Sequence, residues 1–126
     1  MSRLFLLVGV LCLSACVASR APSRANAEVI TREQIEHADA ATALDAIQRL
    51  RPSFLRYRGN ATTSSPRGVA PVVYFGEDRL GSLTELGSID IVHVEEIRYI
   101  SAIDATTRWG TGHTGGVILI VTRKSQ

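Results

Sequence analysis

Cysteine is nearly absent from this chain of 126 residues, in which it occurs only as Cys12 and Cys16. No cysteine follows residue 16, so the rest of the chain cannot rely on a disulfide framework. A single domain of this size buries roughly two-thirds of the surface that its unfolded chain exposes. The sequence therefore predicts one domain that is stabilised by a hydrophobic core.

The sequence also lacks an apolar run long enough to cross a bilayer as a helix. The longest run, Leu4 to Leu13, falls well short of the roughly 20 residues that such a helix needs. Ser2-Arg3 precede it and the small residues Ser14-Ala15 follow it, which is typical of a secretory signal peptide. We expect residues 1 to 15 to be a cleaved leader.

A strong excess of charge of either sign is missing. The formal net charge is +2 and drops by one when the leader containing Arg3 is removed. The positive charges are scattered along the chain, which argues against a nucleic-acid surface. Apolar residues make up 45% and charged residues 21%, a balance typical of globular rather than disordered chains.

Groupings of residues that bind metals or phosphates are likewise missing. His37, His93 and His113 are far apart and have no cysteine or carboxylate at the spacing of metal ligands. His113 is the only histidine near a plausible recognition loop, the glycine-rich segment 110–116. That segment follows a predicted helix and precedes a strand, the reverse of a phosphate-binding loop. The sequence predicts neither a metal site nor a cofactor.

Catalytic groupings are absent too. Glu77-Asp78 and Glu95-Glu96 are adjacent pairs without a positioned partner, which indicates solvated charges rather than a general acid and base. Ser64-Ser65 has no base nearby in the sequence, and no nucleophile motif occurs. We predict that the protein is not an enzyme.

Four residues at the end of the leader resemble a bacterial lipobox: Leu13-Ser14-Ala15-Cys16. The resemblance implies that diacylglycerol is joined to the Cys16 thiol and that Cys16 becomes the new amino terminus. The alternative is an ordinary secretory signal with a coincidental cysteine. In lipoprotein families where aspartate after the cysteine retains the protein at the inner membrane, Val17 would imply passage to the outer membrane, here facing the periplasm.

A short, polar tether is predicted between the lipidated cysteine and the domain, over residues 16 to 27. Its composition is small and polar, with one proline. The eleven residues from Val17 to Ala27 span at most about 36 Å when fully extended. The domain, residues 28 to 126, should therefore stay close to the membrane.

The first half of the domain shows helical and extended patterns in turn. Glu28 to Ile30 is predicted to be extended, and Thr31 to Gln34 form a capping box. Either one bent helix or two helices meeting near Asp39 follow, ending before Pro52. Further on, the pattern predicts a strand at Phe54–Tyr57, a loop at Gly59–Gly68, and a β-rich segment at Val69–Phe75 that returns through a turn at Gly76–Arg79.

In the second half, the pattern predicts a helical turn, a strand, a short helix and a buried strand, in that order. Leu83 to Leu86 form one helical turn closed by Gly87, the best part of the next strand is Ile97–Ile100, and Ser101–Trp109 is a short helix. Val117 to Val121 are all apolar, which predicts a central strand covered on both faces. The predicted fold class is α+β, a mixed sheet with a few short helices.

The stretch VEEIRYISAIDATTRWGTGHTGGVILIVTRK, residues 94 to 124, resembles the end of the plug domain of TonB-dependent outer-membrane receptors. Trp109-Gly110 occupies the place of the family's aromatic-glycine pair, and Gly115-Gly116 with Val117-Ile118 occupies its "GGVI". Earlier segments from Glu28 onward agree less specifically, since Gly76-Glu77 stands where the family has Asp-Gly. The resemblance implies a plug-like fold.

The motif has a physical reason of its own. Glycines allow positive φ, so Gly110, Gly112, Gly115 and Gly116 are predicted to let the chain reverse before the buried strand. Trp109 is predicted to seal the short helix against the sheet with its large apolar surface. Both roles belong to folding, so the motif argues for the plug fold far more than for transport.

The departures from the receptor pattern shape the predicted function. The chain ends shortly after the motif, so we expect no β-barrel, and residues 17 to 27 lack a clear TonB-box segment. We expect a lipid-anchored binding or interaction module whose partner is an outer-membrane β-barrel, another envelope protein or a small ligand. Alternatives are an accessory plug for a separately encoded barrel, and a small hydrolase. The resemblance implies ligand loops at Gly59–Gly68 and Arg79–Gly87.

Overall fold

The computed structural model describes residues 27 to 124. The predicted leader, the predicted lipidation site Cys16 and the predicted tether up to residue 26 lie outside the described residues. So do residues 125 and 126.

A five-stranded mixed sheet forms the centre of the domain. Its strands are β1 (Val29–Ile30), β2 (Val72–Phe75), β3 (Asp78–Gly81), β4 (Val94–Ile100) and β5 (Val117–Thr122). They lie in the order β1-β4-β5-β2-β3, and only the β2–β5 pair is parallel. The predicted α+β class with a mixed sheet and short helices is confirmed.

Strand β5 lies in the middle of the sheet and is buried on both faces, as its continuous apolar run predicts. Ile118 and Ile120 point into the larger cluster of core side chains, whereas Val117 and Leu119 point into a smaller cluster on the opposite face. A strand between two packed layers has no face for polar side chains, which explains why alternation is missing there.

Two helices cover the first face of the sheet: α1 (Arg32–His37) and α2 (Ala43–Leu50). The backbone N–H of Thr31 donates to Gln34 Oε1 at 3.2 Å, as expected of the predicted capping box. Asp39, between the helices, has a φ of +50°, which no continuous helix allows. The alternative of two helices is therefore correct.

One helix, α3 (Ala102–Trp109), covers part of the second face. Ser101 begins it, since its hydroxyl accepts a hydrogen bond from the Asp104 N–H at 3.2 Å. Ala105 and Trp109 of α3 pack on β2 and β5. The predicted short helix is confirmed.

The predicted strand at Phe54–Tyr57 is wrong. Residues Pro52–Leu55 form a 3-10 helix instead. Proline at the first position favours a helical start, because its φ is already close to the helical value. Phe54 is buried in the core and its ring lies 5.6 Å from that of Tyr99, so tertiary packing holds a turn that alternation alone cannot predict.

The next segments follow the prediction with shifted boundaries. β2 and β3 form the expected hairpin, with Phe75 paired to Asp78 across the Gly76-Glu77 turn. The helical turn at Leu83 is a 3-10 helix that continues to Ser88, so Gly87 does not close it. β4 begins at Val94, three residues before the strand segment favoured by the sequence.

Candidate functional site

The glycine-rich segment between α3 and β5 reverses the chain. Gly110, Gly112 and Gly116 have φ values of +84°, +97° and +84°, as predicted for a turn that needs glycine. Gly115 departs from that expectation, because its φ is not positive. Glycine is needed at position 115 for lack of space, because a Cβ there would collide with the backbone carbonyl of Ala70.

Tyr99 connects this turn to β4. Its hydroxyl donates to the Gly115 carbonyl at 3.1 Å, and a Cβ on Gly116 would collide with that hydroxyl. Burial raises the pKa of the Tyr99 hydroxyl above its ordinary value, an effect that the nearby Arg58 guanidinium opposes. The Gly-Gly pair therefore fits around one buried tyrosine.

His113 is buried, with only 4% of its surface exposed. Its Nδ1 lies 2.9 Å from the carbonyl oxygen of Gly110, which can only accept, so Nδ1 donates. In the neutral ring, Nε2 then accepts from the Tyr74 hydroxyl at 3.0 Å. Both ring nitrogens are thus used inside the fold, and His113 is not presented at the surface of a recognition loop.

Trp109 has the sealing position that the sequence predicts. Its ring stacks on Tyr74 with 4.9 Å between centroids, and the Arg108 guanidinium lies over the indole ring, 4.5 Å from its centroid. Trp109, His113 and Tyr74 thus form one cluster that holds α3 and the glycine-rich turn on the sheet. The predicted motif residues are brought together as a folding device.

The other polar groups do not converge. His37 and His93 are exposed, as are Glu77, Asp78 and Glu95. Among residues 27 to 124 no three side chains of His, Cys, Asp or Glu are placed to hold a metal ion. Glu96 pairs with Arg98 at the surface, and Ser101 and Asp104 bond to each other at the start of α3.

A groove of about 360 Å³ lies beside α3, because that helix covers only part of the second face of the sheet. Its floor is apolar and consists of Val29, Ile100, Leu119 and Val121. Four charged side chains of both signs line it as well: Glu28, Arg98, Asp104 and Arg108. Tyr99 and Ser101 complete the lining. An apolar floor with a few polar groups around it is typical of a binding site.

A second surface was missed by the sequence analysis. From residue 46 to residue 76 the chain has five arginines and no acidic residue, whereas residues 77 to 104 have seven acidic residues and two arginines. The small net charge of the whole chain conceals this separation of charge. Counting charged residues segment by segment along the sequence reveals it. Four of the five form what we call the arginine surface: Arg51, Arg56, Arg58 and Arg67.

The arginine surface is assembled by the 3-10 helix at Pro52–Leu55 and by the Arg58–Val69 pair that closes the following loop, which we call its neck. Arg58 Nη2 donates to the Ser53 carbonyl at 3.0 Å, and the Arg58 guanidinium lies 4.0 Å from the centre of the Tyr99 ring. Arg58 and Val69 exchange backbone hydrogen bonds of 2.9 and 2.7 Å, which bring Arg67 back beside them. Within residues 27 to 124 none of the four arginines forms an ion pair.

The two loops implied by the receptor resemblance differ in structure. Gly59–Gly68 is a loop that extends from the neck between Arg58 and Val69, as predicted, and it is largely exposed. Arg79–Gly87 is not a loop, because it consists mostly of β3 and the 3-10 helix Leu83–Ser88. Only Gly59–Gly68 remains available as an irregular surface segment of that pair.

No protein-family model, no curated protein and no solved structure matches the chain. The plug domain therefore remains a resemblance in sequence motif. In the part of the chain that the structure describes, no helix has the length and apolar character needed to span a membrane.

Proposed function

We propose that the chain is a non-catalytic lipoprotein, anchored by acyl chains on Cys16 at the outer membrane and facing the periplasm. Residues 28 to 126 act as its plug-like binding or interaction module. The groove beside α3 carries the proposal, because a sheet face left partly uncovered offers an apolar floor and a charged rim to a partner. The partner class is an envelope protein, including an outer-membrane β-barrel.

The anchor is tested by growing cells that express the full chain with a radioactive fatty acid. Label should appear on the wild-type protein and on Cys12→Ser, and should be absent from Cys16→Ser. Cys12 is the matched control, since it is the other cysteine and lies within the predicted leader. Label retained by Cys16→Ser would contradict the anchor.

The module is tested by photocrosslinking in living cells. A photoreactive residue replaces Arg98 in the groove, Asn60 in the Gly59–Gly68 loop, or Gln48 on the exposed side of α2 as control. We expect a discrete envelope protein to crosslink from Arg98 and not from Gln48, and Val121→Lys in the groove floor to abolish it. No product from either Arg98 or Asn60 contradicts the module.

The identity of the product separates the two forms of the proposal. A β-barrel as the crosslinked protein favours an accessory plug that works with a separately encoded barrel. Another envelope protein favours a general interaction module. A small hydrolase would instead need a nucleophile with a free base in the groove; there, the Ser101 hydroxyl bonds to the Asp104 carboxylate and caps the start of α3.

A further inference from the structure

We infer that the arginine surface binds the anionic headgroups of a phospholipid membrane and orients the domain against it. The inference deepens the proposed function and rests on it, since the lipid on Cys16 would bring the two together. It starts from charge: Arg51, Arg56, Arg58 and Arg67 lie in a stretch without any acidic residue. Clusters of this size attract anionic lipid surfaces.

The position of the amino-terminal end adds an independent observation. The Glu28 carbonyl accepts from the Tyr99 N–H at 2.8 Å, and the ring of the same tyrosine has the Arg58 guanidinium 4.0 Å from its centre. Tyr99 therefore contacts both Glu28, at the start of the domain, and Arg58 of the arginine surface. A tether from Cys16 would join the domain close to Arg58.

The chain between Cys16 and Glu28 has the same sign of charge. It contains Arg20 and Arg24 and no acidic residue before Glu28. Its eleven residues from Val17 to Ala27 reach at most about 36 Å, which keeps the arginine surface near the bilayer. A lipid anchor and a basic patch acting together are a common pair of membrane signals.

The aromatic content of the surface also fits a bilayer interface. Tyr57 lies between Arg56 and Arg58 and is 50% exposed. Tyrosine is enriched at the level of the headgroups, where its ring contacts apolar groups and its hydroxyl contacts water. An acidic protein partner would satisfy the arginines equally, but it would not explain why the tether joins the domain beside them.

Vesicle co-sedimentation tests the inference without the lipid anchor. The protein is the chain from residue 16 onward with Cys16→Ser, which retains all residues from 27 to 124 and so every described contact. Vesicles consist of phosphatidylcholine alone or of an equimolar mixture with phosphatidylglycerol. We expect binding to the mixed vesicles only, and binding should weaken as salt screens the charges.

The variant Arg51→Gln, Arg56→Gln, Arg67→Gln should reduce the affinity for mixed vesicles about 100-fold, at about fivefold for each arginine. The matched control Arg79→Gln, Arg123→Gln, Lys124→Gln removes equal charge at exposed positions outside the cluster and should bind within about twofold of wild type. The double variant Arg56→Gln, Arg67→Gln changes only exposed side chains, so its expected loss of about 25-fold cannot be ascribed to unfolding.

Equal binding to both vesicle types, or equal losses in the cluster variant and its control, would overturn the inference. Binding to an acidic protein or a nucleic acid in place of the mixed vesicles would overturn it as well. The fatty-acid experiment separates this result from the anchor: absent label with intact vesicle binding refutes the anchor alone. Label on Cys16 without vesicle binding refutes the arginine surface alone.

Discussion

At the level of single residues, two adjacent glycines illustrate two different reasons for glycine. Gly115 has an ordinary φ but lies against the backbone of Ala70, whereas Gly116 has a φ of +84° and lies against the Tyr99 hydroxyl. The first position is limited by space, and the second by both space and conformation. The segment therefore depends on Tyr99 as much as on its own sequence.

Gly116→Ala should lower the free energy of unfolding by about 3 kcal/mol or more, because backbone strain adds to a collision with Tyr99 and the Ile100 carbonyl. Gly112→Ala is the matched control: its φ is +97°, but no atom lies near the new Cβ. It should lose only about 1–2 kcal/mol through strain. Urea unfolding measures both, and equal losses would show that the collision is relieved.

Tyr99 predicts an alkaline limit to stability. Burial raises the pKa of its hydroxyl in the folded protein, so the unfolded chain ionises first as the pH rises. Stability from this group is complete below the unfolded value of about 10 and is lost as the pH rises above it. Unfolding free energies measured across this range should fall less steeply for Tyr99→Phe than for wild type, and parallel curves would refute the assignment.

At the level of elements, α3 depends on its first and last residues more than on its length. It has eight residues, too few to be stable alone, with Ser101 as its cap and Trp109 packed on Tyr74. The same helix forms one wall of the proposed binding groove, which Asp104 and Arg108 help to line. The stability of α3 and the shape of the groove are therefore linked.

Ser101→Ala should lower the free energy of unfolding by about 1 kcal/mol, because the Asp104 N–H loses its hydrogen-bond acceptor. Ser101→Asn should retain most of the stability, since asparagine is also a good cap. Ser88→Ala, an exposed serine at the end of a 3-10 helix, serves as the control and should change little. Thermal unfolding compares the variants, and an unchanged Ser101→Ala would show that the cap is not needed.

At the level of the whole molecule, the amino-terminal end of the domain is part of its core. β1 pairs with β4 through Val29–Arg98 and Ile30–Ile97, and Ile30 is fully buried. The same end lies close to Arg58 of the arginine surface, through Tyr99. In the arrangement that we propose, folding, anchoring and orientation at the membrane are linked at this end.

A chain that begins at Ala27 retains every contact that the structure describes and is the reference for stability. A chain that begins at Thr31 should lose about 3 kcal/mol or more, since it lacks the burial of Ile30 and the hydrogen bonds of β1. Denaturant unfolding measures the difference. Equal stability of the chains beginning at Ala27 and Thr31 would show that β1 is dispensable.

Local patterns predicted much of the fold. The capping box at Thr31, the reversal at Gly76-Glu77 and the continuous apolar run of β5 each depend on neighbours along the chain, so the sequence contains their cause. The strand predicted at Phe54–Tyr57 failed for the opposite reason. Its conformation depends on the contact between Phe54 and Tyr99, which are 45 positions apart in the sequence.

The sequence by itself determined the class of the fold, the position of its central strand and the residues of the glycine-rich motif. Only the tertiary structure decided what several of those residues do. It buried His113 against Tyr74, placed Gly115 against the Ala70 backbone where no Cβ fits, and left a groove beside α3. It also brought Arg58 to Tyr99, whose backbone bonds to Glu28 at the start of the domain. Periodicity describes each segment separately, whereas these contacts join segments that are distant in sequence, and their geometry exists only after the sheet has formed.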